Sequence, residues 1–134
     1  MRVNNINVSL NNIQNDQNVG VKLVHLTGNK DTSVFAIELA ANQFIPAHYH
    51  KVGIETYFIL SGEGIIHLGR LRNGNLFWEH KIKVTDGDCF SIEPNQVHKF
   101  ENNSDQILRI IGTAPLTHTT EEDRFFVRPR TTYL

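Results

Sequence analysis

Hydrophobic and polar residues alternate over short stretches along most of the chain, and turn-forming residues separate these stretches. Alternation with a period of two gives a β-strand one hydrophobic face, so the pattern predicts strands rather than helices. Asn73-Gly74 is a strong hairpin signal because both residues tolerate positive φ. The predicted strands cover residues 6–10, 19–26, 34–40, the stretch around His48 and His50, 56–60, 65–68, 76–84, 89–92, 99–101 and 107–111.

Many short strands separated by regular turns are typical of an antiparallel sandwich or a small barrel. A helical pattern occurs in the tail beyond Thr119, where the acidic residues 121–123 would occupy the first turn. Residues 1–18 are rich in asparagine and are predicted to form an edge strand or an arm that reaches a partner subunit. No repeat or linker interrupts the pattern, so we expect a single domain over residues 1–134.

Composition and charge narrow the class of protein. A chain of 134 residues and 15.3 kDa is long enough for one domain with its own core. The formal charge of −1 and the scattered Lys and Arg residues give no reason to expect nucleic-acid binding. One cysteine, Cys89, excludes an intrachain disulfide and suits a reducing compartment. With no signal peptide or long apolar segment in the sequence, we expect a cytoplasmic protein that is not in a membrane.

The chemistry is concentrated in the stretch from Pro46 to Glu55. His48 and His50 are two residues apart and therefore point to the same face of a strand. A turn around Gly53 can bring Glu55 onto the following strand beside them. Two imidazoles and a carboxylate at one point form a large part of a metal site, and His98 is the candidate for a further imidazole.

The spacing around these residues resembles the first motif of the cupins. That motif has a glycine, five residues, His-x-His, three or four residues, a glutamate, six residues and a second glycine. The chain has His48, His50, Glu55 and Gly62 at these spacings. The leading glycine is replaced by Asn42, which also accepts turn conformations. This motif covers about residues 42–62.

A second motif of the cupins is matched downstream, over about residues 87–102. Gly87, His98 and Asn102 stand at the positions of its glycine, histidine and asparagine. The proline position of the motif is Glu93 and its second glycine position is Asn95, which are departures from the pattern. Two motifs in the right order are a specific signal, and they identify the chain as resembling a small single-domain, RmlC-like cupin.

The resemblance implies an all-β fold, a double-stranded β-helix jelly roll, here followed by a short helical tail. It also implies one divalent transition metal ion held by His48, His50, Glu55 and His98. Such a ligand set leaves one or two positions open and suits Mn, Fe, Ni, Co or Zn. The metal's identity is left open by the sequence.

Other side chains are weaker candidates for the site. His67 and Tyr57 are the candidate acid–base residues, and the alternation pattern does not decide whether His67 points into the barrel. Phe100, which follows His98 by two positions, and Ile59 are expected to form the pocket wall. The remaining histidines are interpreted as surface or edge residues: His25, His80 and His118.

Two classes of function follow from this reading. The first is an enzyme acting on a small oxygenated metabolite, with dioxygenase, isomerase, lyase or decarboxylase chemistry. The alternative is a non-catalytic cupin that binds or senses a sugar or an organic acid, since fold alone does not decide function. A homodimer is also expected, as in similar cupins, in which the arm with the apolar residues at 6, 8 and 10 and the Phe77-Trp78 pair cover the open sheet edges across a two-fold axis.

Overall fold

The computed structural model describes residues 1–16 and 20–128, and within these ranges it contains a short helix, ten strands and one turn of 3-10 helix. Residue 19, where the second predicted strand begins, lies outside the described residues. The elements are α1 (Ile6–Asn11), β1 (Lys22–Gly28), β2 (Ser33–Leu39), β3 (Phe44–Tyr49), β4 (Glu55–Ser61), β5 (Glu63–Arg72), β6 (Asn75–Thr85), β7 (Cys89–Ile92), β8 (Val97–Glu101), β9 (Leu108–Ala114), the 3-10 turn (Leu116–Thr119) and β10 (Phe125–Phe126).

The strands form two five-stranded sheets whose strand pairs are antiparallel. One sheet has the order β1-β2-β9-β4-β7 and the other has the order β10-β3-β8-β5-β6. Strands distant in sequence are neighbours in both sheets, which is the arrangement of a double-stranded β-helix jelly roll. The predicted all-β fold class is therefore confirmed. None of the described helices is long and apolar enough to cross a membrane.

The hydrophobic core lies between the two sheets. It includes Phe35 from β2, Tyr57 and Ile59 from β4, and Phe100 from β8, each at most 2% exposed. The inward residues alternate with outward ones along each strand, as the hydrophobic pattern predicts. Burial of this apolar surface is the main favourable term for folding.

Residues with positive φ form two of the turns that connect the strands. Asn73 and Gly74 both have positive φ, 51° and 76°, and connect β5 to β6. At Gly62 the φ of +96° is combined with a close approach, because a Cβ there would lie 2.5 Å from the backbone oxygen of Ile107. Only glycine fits at that position of the first motif.

The N-terminal segment is a helix and not the predicted strand. The Asn5 side chain accepts a hydrogen bond from the Val8 backbone N–H at 3.0 Å and caps the helix. Leu10 is fully buried against Leu26 and Ala36 of the first sheet. The hydrophobic positions 6 and 10 are four apart and also share one helix face, so the pattern was compatible with both structures.

The helical turn near the end of the chain lies earlier in the sequence than predicted. It is the 3-10 turn Leu116–Thr119, before the acidic residues 121–123 rather than after Thr119. Beyond it, Phe125 and Phe126 pair with Tyr49 and His48 as strand β10. The predicted tail also includes residues 129–134, which lie outside the described residues. The single domain predicted for residues 1–134 stays a prediction.

Candidate metal centre

Three histidines meet where strands β3 and β8 pair. His48 on β3 lies directly opposite His98 on β8, after an irregularity in the register between Ile45 and His48. The ring centroids of His48 and His98 are 4.1 Å apart, and His50 lies 5.1 Å from His48 and 5.3 Å from His98. All three side chains are at most 5% exposed. The alternation of strand side chains thus brings the two histidine stretches to one buried point.

The three imidazoles are oriented by backbone carbonyls. The Nδ1 atoms of His48, His50 and His98 lie 2.8, 2.5 and 3.1 Å from the carbonyl oxygens of residues 46, 123 and 96 respectively. A carbonyl oxygen can only accept, so each Nδ1 carries the proton and donates it. In a neutral imidazole the Nε2 atom then has a free lone pair, which is the form that binds a metal ion.

Two of these Nε2 atoms are buried without a hydrogen bond. Nε2 of His50 and Nε2 of His98 have no hydrogen-bond partner among the described residues. Nε2 of His50 approaches Glu55 Oε2 at 2.7 Å, but the alignment is not that of a hydrogen bond. A buried polar atom without a partner is costly. The donor atoms of His48, His50 and His98 lie within 4.8 Å of one another, so this set fits a divalent transition metal ion.

Glu55, the first residue of β4, faces the same cluster. Its Oε2 atom is 2.7 Å from Nε2 of His50 and 3.8 Å from Nε2 of His98, and the carboxylate is almost fully buried. Burial raises the pKa of Glu55, but the imidazoles of His118 and His50 outweigh it and hold that pKa well below 4.5. The side chain is therefore ionised at neutral pH and available as an anionic ligand.

Burial also keeps two histidines of the cluster neutral. It lowers the pKa of His98 from 6.5 to about 4, against the opposing effect of the Glu55 charge. The pKa of His48 is likewise lowered well below 6.5, first by burial and then by His98. At neutral pH both imidazoles carry a lone pair instead of a second proton. The cluster is thus electrostatically suited to a cation.

The sequence analysis missed His118, which is buried and not a surface residue. It lies on the 3-10 turn and stacks on His50 with ring centroids 4.0 Å apart and planes within 4°. Its Nε2 lies 2.5 Å from the Val52 carbonyl oxygen, and its Nδ1 lies 3.3 Å from Glu55 Oε2. Burial lowers the pKa of His118, but Glu55 and the Val52 carbonyl raise it above 6.5 overall. No local pattern around residue 118 indicates this contact.

Asp123 is a second residue that the sequence did not reveal. Its carboxylate accepts hydrogen bonds from the backbone N–H groups of Lys51 and Val52, at 2.7 and 3.0 Å. Its backbone carbonyl is the acceptor for Nδ1 of His50. The segment after the 3-10 turn therefore fixes both the loop that follows His50 and the His50 ring itself.

The two candidate acid–base residues have different positions. Tyr57 points inward, as expected from its spacing to Glu55, and its hydroxyl donates a hydrogen bond to Oε1 of Glu55. Burial and the Glu55 charge raise the pKa of Tyr57 well above 10. The structure places His67 away from the cluster, with its Nε2 2.9 Å from Oε2 of Glu101. Its strand neighbours Ile66 and Leu68 pack in the core, so alternation turns His67 to the outer face.

The residues predicted as pocket wall lie in the hydrophobic core. Phe100 and Ile59 are buried in the main hydrophobic cluster and are not among the described residues that line the cavity beside the histidines. This narrow cavity combines apolar walls with polar groups. Its lining consists of Leu23, Phe35, Ile37, Ile45, His48, Glu55, Tyr57, His118, Thr119 and Arg124.

Comparison with known proteins gives the same architecture. A protein with a double-stranded β-helix domain from Klebsiella pneumoniae is 19% identical with a TM-score of 0.70, covering 96% of this chain and 99% of that one. A cupin superfamily protein from Desulfitobacterium hafniense is 14% identical with a TM-score of 0.59, covering 77% and 81%. A "predicted oxalate decarboxylase" from Thermotoga maritima is 25% identical with a TM-score of 0.58, covering 72% and 80%.

The family is given by the sequence match. Curated proteins provide no match to this chain. The family model described as "Cupin domain" matches residues 35–114, which is more than half of the chain and includes the four residues of the cluster. The protein belongs to the cupin family.

Proposed function

We propose that this cupin holds one divalent transition metal ion with His48, His50, Glu55 and His98. The observation that supports it most strongly is the pair of buried Nε2 atoms, on His50 and His98, that have no hydrogen-bond partner among the described residues. The Nδ1–H groups fix the orientation of the three imidazoles, and the ionised Glu55 carboxylate completes the donor set. A closed structural site more often contains cysteine, so a centre of this composition suits ligand binding. Mn, Fe, Ni, Co and Zn all accept a donor set of this kind.

We further propose that the protein is an enzyme acting on a small oxygenated molecule that enters the cavity. The ion would polarise a bound carbonyl or hydroxyl group, or support dioxygen chemistry if it is iron. Tyr57 keeps its proton at neutral pH and holds Oε1 of Glu55, so it orients this ligand. The similar Thermotoga maritima protein described as a "predicted oxalate decarboxylase" supports turnover of a small oxygenated compound.

A non-catalytic module that binds a sugar or an organic acid is the second candidate. One observation favours it: each acid–base group among the described lining residues is already engaged. His48 and Glu55 are proposed ligands, while Tyr57 and His118 both contact the Glu55 carboxylate. Proton transfer to a substrate would require one of these contacts to open.

Metal content of the purified protein tests the centre. We expect about one equivalent of a transition metal in the wild-type protein by elemental analysis, and a sharp loss in His50→Ala. His25→Ala is the matched control, because His25 is exposed on β1 and should not alter metal content. Circular dichroism checks that the β structure remains. Full metal occupancy in His50→Ala would show that the ion is held elsewhere.

The small molecules that copurify with the protein distinguish the two functions. We would incubate the recovered compound with metal-loaded protein, with dioxygen and without it, and follow it by mass spectrometry. Conversion by wild-type protein but not by His50→Ala supports the enzyme. A compound that stays bound and unchanged under all these conditions supports the binding module.

The homodimer stays a prediction, and we propose that it forms through the edge strand β6. Phe77, Trp78 and Ile82 of this strand are each 45–49% exposed, which is an unusual apolar surface for a monomer. Leu10, which was expected to belong to an arm that contacts the partner, is already buried within its own chain. Light scattering at micromolar concentration should give twice the chain mass.

A further inference from the structure

Arg124 is a buried cation beside the proposed metal centre. It follows Asp123, which anchors the C-terminal segment, and it precedes strand β10. The residue is 8% exposed and lines the same cavity as His48 and Glu55. Arg124 is thus placed at the site by the segment that also fixes His50.

Within residues 1–16 and 20–128, the charge of Arg124 is not compensated. Its Nε atom is buried with no hydrogen-bond partner, and no carboxylate lies within 4.0 Å of its guanidinium nitrogens. The group lies 5.3 Å from the ring centroid of Phe126. By contrast Arg109, which is also shielded from solvent, has Glu38 at 2.8 Å and two asparagine partners. A guanidinium nitrogen that is buried without a partner is unfavourable, so an anion that pairs with Arg124 is stabilised.

We propose that Arg124 binds the carboxylate of a small anionic ligand whose adjacent oxygen reaches the metal ion. This inference rests on the proposed metal centre at His48, His50, Glu55 and His98. A divalent ion with one carboxylate and three neutral imidazoles keeps an uncompensated positive charge, to which Arg124 adds a second. A ligand with a carboxylate next to a hydroxyl or carbonyl oxygen matches both charges.

Two further features define the ligand class. The planar guanidinium offers paired N–H donors in the geometry of a carboxylate, which an uncharged alcohol cannot match. The cavity walls contributed by Leu23, Phe35 and Ile45 are apolar, and the free volume of about 20 Å³ limits the ligand to a small molecule whose binding widens the cavity. The structure therefore favours small 2-hydroxy or 2-oxo acids over neutral sugars.

The test compares two probes that differ in this one group. Lactate and 1,2-propanediol share a carbon skeleton, a methyl group and adjacent oxygens, but lactate alone carries a carboxylate. Their affinities for the zinc-loaded protein would be measured by isothermal titration calorimetry. We expect wild-type protein to bind lactate and to bind 1,2-propanediol weakly. Arg124→Gln should weaken lactate binding by about tenfold to a hundredfold, the usual effect of losing a charge-assisted hydrogen bond.

Three controls isolate the guanidinium group. Binding of 1,2-propanediol should be the same in wild-type protein and Arg124→Gln, and zinc affinity should not fall in the variant. Arg128→Gln removes the same charge four residues later from an exposed position and should leave lactate binding unchanged. Arg124→Lys keeps the charge without the planar donor pair and should restore part of the affinity.

The outcomes separate this inference from the metal proposal. Equal lactate affinity in wild-type protein and Arg124→Gln, or zinc uptake with no lactate binding at millimolar concentration, overturns the role of Arg124 and leaves the metal centre standing. A wild-type protein that takes up no zinc overturns the metal centre, and the inference about Arg124 falls with it.

Discussion

Replacing Glu55 with glutamine tests the charge of the proposed metal centre with almost no change of shape. In the wild-type structure the Tyr57 hydroxyl donates to Oε1 of Glu55, and Oε2 lies 2.7 Å from Nε2 of His50. In the variant the glutamine carbonyl is expected to accept the Tyr57 proton, because a carbonyl oxygen is its remaining acceptor. The amide NH₂ would then face the lone pairs of His50 and His98.

The expected loss of metal affinity follows from this geometry. Glu55→Gln removes the one anionic ligand, and its amide also donates toward Nε2 of His50. Loss of a partner at a metal site typically costs ten- to a hundredfold in affinity, and we expect a reduction of at least this size. Tenfold corresponds to about 1.4 kcal/mol. The pKa of His118 should also fall, because the Glu55 carboxylate is among the groups that raise it.

The assay is a zinc titration of metal-stripped protein against a competing chelator, with circular dichroism to monitor the fold. Glu101→Gln is the matched control, since Glu101 contacts His67 on the outer face and is not part of the cluster. NMR titration of His118 gives a readout that does not depend on metal. Equal zinc affinities of wild-type protein and Glu55→Gln would refute the reasoning and leave a centre of three histidines.

Two further predictions concern stability. The metal-free protein should lose stability as the pH falls from 6.5 to 4, because the unfolded chain then binds protons at His98 and His48 that the folded chain excludes. With a folded pKa of about 4, His98 contributes on the order of 3 kcal/mol to this loss, and a flat profile of urea denaturation would contradict it. The pKa of His118 is raised above 6.5 in the folded chain, so its contribution to stability changes with pH only above 6.5, outside this window. Asn102→Asp should cost about 3 kcal/mol, because the buried Asn102 amide donates to three backbone carbonyls that a carboxylate would repel. The exposed Asn103→Asp should stay within about 0.5 kcal/mol, and equal thermal midpoints of the two variants would count against this role.

The sequence alone predicted the strands because their signals are local. Alternation reports which face of a strand is buried. It was sufficient to place most of the strands, including the one at Cys89–Ile92. Asn73-Gly74 specified its hairpin through backbone conformation. The four proposed ligands could also be identified, because His48, His50 and Glu55 are close in sequence and His98 lies in the second motif.

Tertiary packing decided the N-terminal segment. Its hydrophobic residues at positions 6, 8 and 10 fit a strand, while those at 6 and 10 also fit a helix. The side-chain cap from Asn5 and the burial of Leu10 against Leu26 favour the helix. Capping and packing across many residues add stabilisation that a short alternating pattern does not contain.

The surroundings of the ligands were likewise decided by the tertiary structure. His118, Asp123 and Arg124 lie on a segment that returns to the β3–β4 loop, where His118 contacts Glu55 across 63 positions and Asp123 contacts His50 across 73. No periodicity or spacing encodes such contacts, because they depend on the path that the chain takes after β9. The orientation of His67 was also decided there, since the pairing of β5 with β8 turns Ile66 and Leu68 inward and His67 outward. The sequence could therefore name the proposed metal ligands, whereas the groups that orient them and the cation beside them became visible only when the C-terminal segment was placed.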